Sequence, residues 1–246
     1  MGKNKRTSTS RITSFDLQPG REIARKYRVL SRLGSGWEGE VYRVVEIRTG
    51  IERAAKLFYP HRNVKNQASK RYAKKLHKLR HCPILIQYHT EELITVRRNL
   101  ITVFVSEFVE GRLLSQFLQS LPRKRLGPFE ALHFLYALAK GMEQVHLSGE
   151  YHGDLHVDNV IVNRYGVEFD LKILDLFQLD ASKAESRQSD ICDVIRLFYE
   201  SLGGAKHYAR QPRAVKYICS GLKATLILQK FRTMSQLCKH IEMMEW

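Results

Sequence analysis

The apolar positions of this chain repeat with one period in its first half and another in its second. Tyr27-Arg28-Val29-Leu30-Ser31-Arg32-Leu33 alternates loosely between apolar and polar, as a strand does. Val41–Val45 predicts a second strand, Thr49-Gly50 a turn, and Ala54-Ala55-Lys56-Leu57-Phe58 a third strand. Tyr72, Leu76 and Leu79 stand at i, i+4 and i+7, which predicts a helix within Lys65–Arg80 whose other face carries Lys70, Lys74 and Lys78. Two more strands follow, the second ending in Ile101-Thr102-Val103-Phe104-Val105, and Glu107–Gly111 reads as a connector broken by glycine. From there the period becomes helical. Leu113–Leu121 predicts one helix, and Pro128 opens a longer one through Ala137, Leu138, Met142 and Val145 that stops near Gly149. A hairpin of Val160–Val162 with Phe169–Leu174 interrupts the helices, which resume at Asp190–Leu202, Arg213–Leu222 and Thr233–Met244. The class is therefore α+β, with an antiparallel sheet and one helix over 25–110 and a mostly helical part over 111–246. Residues 1–24 are polar, basic and rich in Ser and Thr, and read as a mobile tail.

Composition changes this picture in three ways. A chain of 246 residues can bury one good-sized core or two smaller ones. No apolar run approaches the ~18 residues of a membrane span, and the first residues lack the apolar centre of a signal peptide. Arg6 stands where a myristoylation motif after Gly2 needs Ser or Thr, so that anchor is not expected. Four scattered cysteines (Cys82, Cys192, Cys219 and Cys238) show no Cys-x-x-Cys spacing, which suggests a reduced, cytoplasmic setting. The formal net charge of +16 favours acidic partners. The basic residues are concentrated before residue 30 and over Leu57–Thr90, which contains no acid. No aromatic-basic recognition motif accompanies them, so a solvated basic face is favoured over nucleic-acid binding.

Four groups of residues carry chemistry. Gly34-Ser35-Gly36-Trp37-Glu38-Gly39-Glu40-Val41 joins two strands, and its glycines let backbone N–H groups approach phosphates. Because a strand and not a helix follows, this is neither a dinucleotide fingerprint nor a P-loop. Lys56 lies in an apolar strand, where an ammonium is costly unless paired. His152-Gly153-Asp154-Leu155-His156-Val157-Asp158-Asn159 sets a carboxylate and an amide five residues apart, and Asp175 ends an apolar strand. Carboxylate and amide oxygens are the hard ligands Mg²⁺ prefers, with phosphates completing its shell. His152 and His156 do not form a zinc motif, which would need a helix and an adjacent glutamate.

Taken in order, these motifs resemble the protein-kinase-like superfamily, and most of all compact bacterial-type Ser/Thr protein kinases, over roughly Tyr27–Glu242. The resemblance implies a bilobal fold, with a small antiparallel β lobe carrying one helix and a truncated helical lobe. It implies ATP and Mg²⁺ as cofactors, a protein substrate, and transfer of the γ-phosphoryl group to a Ser or Thr hydroxyl. By the same resemblance Asp154 is the catalytic-loop aspartate, acting with Lys56 and Asn159. Gly34, Ser35, Gly36 and Gly39 cover the phosphates and Lys56 holds them. Val41 and Ala54 roof the adenine, with Ile161 beneath it. Glu107 and Val109 offer backbone contacts to the base, with Ser106 as gatekeeper. Asn159 and Asp175 bind Mg²⁺. Asp190 resembles the buried aspartate that organises the catalytic loop, while His152 and Leu76 resemble core spine residues.

The departures from the family pattern are specific. The helix glutamate that pairs the lysine is missing, and its expected place falls near Tyr72. Glu52 and Glu38 are the alternative partners for Lys56, and replacing the true partner by Gln should lower ATP affinity or turnover. Gly153 stands in place of the loop arginine that reads an activation-loop phosphate, and His156 in place of a lysine. Asp175 is followed by Leu176-Phe177-Gln178 and not Phe-Gly, and no Ala-Pro-Glu precedes Asp190. Two alternatives stay open on these grounds: a small-molecule or RIO-type atypical kinase, and a pseudokinase that binds nucleotide without turnover.

Overall fold

The structure, a computed structural model, describes residues 11–176 and 181–245. Residues 1–10, with Gly2 and Arg6, and residues 177–180, with Gln178, lie outside the described residues. The chain divides into two compact units: residues up to Lys74 together with Gln87–Phe108, and Lys75–Ile86 together with Val109 onward.

The first unit is built on six antiparallel strands, β1 (Glu22–Ile23), β2 (Tyr27–Ser35), β3 (Gly39–Glu46), β4 (Glu52–Phe58), β5 (Tyr88–Val96) and β6 (Asn99–Glu107). They are ordered β1-β2-β3-β4-β6-β5. Register fixes which side chains share a face. Val41 pairs with Lys56 and Lys56 with Phe104, while Tyr42 pairs with Ala55 and Ala55 with Val105. The second set is fully buried. It belongs to an apolar cluster with Ile23, Val44, Leu57, Val103 and, from before the sheet, Ile12, Phe15 and Leu17. Residues 11–24 were expected to belong to a mobile tail; residues 11–21 instead form a strap over one face of the sheet, and Glu22–Ile23 join it as β1. Burial of three large apolar side chains drives it, and the Leu17 amide donates to the Tyr42 hydroxyl at 3.1 Å.

Glu40 lies beneath this strap with no exposed surface. It accepts from the hydroxyls of Tyr42 and Tyr59 and from the Asp16 amide, and it pairs with Arg32 at 3.3 Å. The other face of the sheet carries Val41, Ala54 and Lys56, all half-buried. Helix α1 (Gln67–Lys78), shorter than expected by two residues at each end, begins in this unit, with the Tyr72 ring packed at a tilt on Phe104 at 4.8 Å between ring centroids.

The second unit contains the last residues of α1, a small sheet of β7 (Arg112–Leu113), β8 (Val160–Tyr165) and β9 (Glu168–Ile173), and the remaining helices. These are α2 (Leu114–Ser120), α3 (Pro128–Leu147), α4 (Lys183–Ser201), α5 (Ala205–Tyr208), α6 (Arg213–Cys219), α7 (Ala224–Lys230) and α8 (Met234–Glu242). Helix α3 buries a broad apolar arc from Ala131 to Val145 and packs against α4, α8 and β9. Helix α4 starts two turns before the expected Asp190, because Ser182 and Glu185 form a reciprocal capping box. Helices α5 and α7 were not anticipated from the sequence pattern. No described helix is long and apolar enough to cross a membrane.

Candidate active site

The segment Tyr151–Asn159 is held by one carboxylate. Asp190, fully buried on α4, accepts from the amides of His152 at 2.8 Å and Gly153 at 2.9 Å, and contacts His146 Nε2 at 2.9 Å. Three bonds at a buried carboxylate compensate its loss of water. The buried His152 ring bridges the Asp154 amide and the Leu174 carbonyl. Its Nδ1 accepts from the Asp154 amide at 3.2 Å, so its Nε2 carries the proton and donates to the Leu174 carbonyl at 2.6 Å. Burial pushes the His152 pKa down, against the opposing pull of Asp190, which keeps the ring in this neutral tautomer.

The Asp154 backbone and the Leu174 carbonyl, one residue before Asp175, are therefore linked through one imidazole. Asn159 closes the arrangement. Its side-chain amide donates to the Asp154 carbonyl at 2.8 Å, and its own carbonyl accepts from the Leu174 amide at 2.8 Å. Strand β9 is also fixed from the opposite side, where the Ile173 amide donates to the Ile84 carbonyl at 2.7 Å. Asp175 follows in a left-handed conformation, φ 50°.

Asp154 remains open, its side chain 56% exposed, with His156 Nε2 3.8 Å from its Oδ2. Beside it α4 presents Asp193, whose carboxyl is pushed up to about 6 by burial and by the charges of Asp190 and Asp154, with Arg196 opposing. Asp193 was not among the residues expected from the sequence. Its position one helical turn after Asp190 was the available signal. His152, read as a packing residue, also makes polar bonds that no sequence spacing announces.

Within this unit the structure brings together Asp154, Asn159 and Asp175. Ile161 is half-exposed on β8, while its neighbours Val160 and Val162 are buried. Val109 lies in the connector that leads to β7. Among the described residues no group of three or more acidic, His or Cys side chains is placed to hold a metal ion by itself. One carboxylate and one amide match an ion that takes the rest of its shell from phosphates and water.

The first unit holds the other candidates. Gly34 and Ser35 end β2, Gly36 opens the turn and Gly39 begins β3, and the Gly36 amide donates to the Gly39 carbonyl at 2.9 Å. Lys56 Nζ donates to Glu38 Oε2 at 2.8 Å. Glu52, the other proposed partner, is instead bound twice by Arg43, at 2.8 Å each. Ser106 is buried, and the Glu107 amide donates to the Gln87 carbonyl at 3.0 Å.

A protein kinase domain family model matches residues 27–210. The chain belongs to the protein kinase family. Its relatives include CBL-interacting serine/threonine-protein kinase 13 of Arabidopsis thaliana, 27% identical over 78% of this chain and 36% of that protein. Serine/threonine-protein kinase pkn2 of Myxococcus xanthus is 30% identical over 66% of this chain and 20% of that protein. The chain thus spans well under half the length of these kinases. The PknI kinase domain of Mycobacterium tuberculosis superposes with a TM-score of 0.63 at 16% identity, covering 92% of this chain and 98% of that domain. The protein kinase fold, an antiparallel sheet region followed by a helical part, is shared with it.

Proposed function

We propose that this chain is an ATP-dependent Ser/Thr protein kinase, with Asp154 as the carboxylate that orients and accepts the proton of the acceptor hydroxyl. The observation that carries this reading is the catalytic loop: Asp190 and His152 spend buried hydrogen bonds on fixing a backbone that presents Asp154 to solvent, while the other exposed acid of the loop, Asp158, accepts from the Ser115 hydroxyl at 2.5 Å. A loop built merely to turn would not need an exposed acid on a rigid base. Lys56 binds α- and β-phosphate oxygens, the glycines of 34–39 cover them with backbone N–H groups, and Asn159 and Asp175 hold Mg²⁺. The ion neutralises charge on the transferring phosphoryl group when bound.

A second reading is favoured by one observation. The helix carrying Asp190 starts at Lys183, so seven residues, 176–182, follow Asp175 before it. That is little chain with which to build a peptide platform, and it suits a small hydroxyl acceptor. The test is incubation with Mg²⁺ and γ-labelled ATP, offering generic protein acceptors in one set and small hydroxyl compounds in another. Label on protein Ser or Thr supports the first reading. Label only on small acceptors supports the second, and nucleotide binding without transfer to anything refutes both.

A further inference from the structure

We infer that Glu38, on the glycine loop, is the residue that positions Lys56, in place of the helix glutamate this chain lacks. The inference rests on the phosphotransferase reading above and concerns the lysine within it.

Helix α1 carries no carboxylate. Where the resemblance expects one, Tyr72 turns its ring toward the ammonium, with Lys56 Nζ 5.6 Å from the centroid and the Phe58 ring 5.4 Å away on its own strand. Tyr72 is locked against Phe104, which also packs on Tyr88 at 5.1 Å. These rings attract a cation but also strip it of water, leaving the Lys56 side chain 12% exposed. A desolvated ammonium requires a counter-charge, and Glu38 supplies one at 2.8 Å.

The placement of Glu38 is built into the sheet. The Tyr59 amide donates to the Glu38 carbonyl at 2.9 Å, which carries the β3–β4 pairing one residue beyond Gly39 and Phe58. The strands approach so closely there that a Cβ on residue 39 would lie 1.9 Å from the Leu57 carbonyl oxygen, so only glycine fits. At the tip of the loop the Arg62 guanidinium stacks 3.7 Å over the Trp37 ring. Glu38 is thus held by backbone and flanked by an anchor. An ammonium has three hydrogens, so donation to Glu38 is compatible with donation to phosphate oxygens. In this arrangement the charge partner of Lys56 follows the glycine loop and not helix α1.

The test uses the full chain as wild type, Glu38→Gln, Glu38→Asp, and Glu38→Gln combined with Tyr72→Glu. Without nucleotide, limiting acetic anhydride should acetylate Lys56 several-fold faster in Glu38→Gln, while the exposed Lys70 and Lys74 keep their rates. Mg²⁺–ATP affinity should fall about tenfold in Glu38→Gln, remain closer to wild type in Glu38→Asp, and recover when position 72 carries the glutamate. Thermal melting identifies a variant that has merely lost structure, and Glu38→Asp then decides. Unchanged Lys56 labelling in Glu38→Gln would overturn the assignment. Tighter ATP binding would overturn it too, because Glu38 would then be blocking phosphate. If wild type binds no nucleotide, the kinase reading fails, and labelling still decides whether Glu38 holds Lys56.

Discussion

The strap over the sheet makes Glu40 the most consequential single acid outside the candidate site. Its carboxylate has no exposed surface and collects the Tyr42 and Tyr59 hydroxyls, the Asp16 amide and the charge of Arg32. Burial alone would push its pKa up. Hydrogen bonds from Tyr42, Ser14 and the Phe15 amide, together with Arg32, outweigh burial and hold it below the usual carboxylate value. Glu40→Gln keeps the size but turns one acceptor into an NH₂ group facing amide donors of the strap. Losing charge-assisted bonds at a buried site costs about 2–4 kcal/mol. At this chain length each kcal/mol moves the melting temperature by about 2–4 °C, so a drop of roughly 5–15 °C is expected. The sign of the pH dependence follows from the depressed pKa. The stabilisation is complete above the unfolded-state carboxylate value and is lost as pH falls through the lower folded value. Wild type should therefore lose stability more steeply than Glu40→Gln below about pH 4.5. Circular-dichroism melts of both proteins from pH 7 to pH 3 measure both effects. A melting change under about 1 °C at pH 7, or parallel acid slopes, would refute the argument.

Three further outcomes follow from the second unit. Asp154→Ala should reduce phosphoryl transfer by about 10²–10⁴-fold with ATP affinity preserved, measured by steady-state kinetics and calorimetry, because the contact proposed for it is with the acceptor hydroxyl. Asp175→Asn should weaken Mg²⁺-dependent nucleotide binding without lowering the melting temperature, whereas unchanged Mg²⁺ dependence would remove it from the metal site. Replacing Ser182, Ser186 and Ser189 by Ala should leave the turnover of the folded enzyme nearly intact, since no loop arginine awaits a phosphate. It should also cost at least ~1 kcal/mol in denaturant melts, because Ser182 caps α4 and the Ser186 hydroxyl bonds the Ser182 carbonyl at 2.9 Å.

The parts of the fold that were legible in the sequence are those where local pattern and burial agree. Strands β3 and β4 alternate because one face is sealed and the other open, and α3 is long, apolar and opened by Pro128. The strap was not legible because Ile12, Phe15 and Leu17 sit among Arg, Thr and Ser at irregular spacing, and their burial depends on Tyr42 and Glu40 some 25 residues on. The early start of α4 was signalled by Ser182-x-x-Glu185, but Lys183–Ser189 presents too few apolar residues to reveal a period. Motif spacing identified Asp154, Asn159 and Asp175 as a group. It could not identify the bonds of His152, whose partners outside the loop lie 22 and 38 residues away.

The glycine at position 153 changes what the missing loop arginine means. Gly153 has a φ of 92°, a region that side-chain-bearing residues rarely enter, and its amide is one of the donors to Asp190. Placing Arg there would strain the backbone that presents Asp154, so the loop has not simply lost a phosphate reader. It is closed in a geometry that excludes one. The rigidity such a phosphate contact would supply comes instead from groups already in the chain. Asp190 and His152 fix the loop, and Glu150, two residues before His152, is bound by Lys78 of α1 and Lys183 of α4 at 2.6 Å each. Glu150 is itself mostly buried, and despite that burial these two lysines hold its pKa below the usual value, so the tie is ionised at neutral pH. The start of the segment is thus pinned by charges of its own chain, Glu150 through two lysines and the amides of His152 and Gly153 through Asp190, which is the end an arginine at position 153 would otherwise occupy.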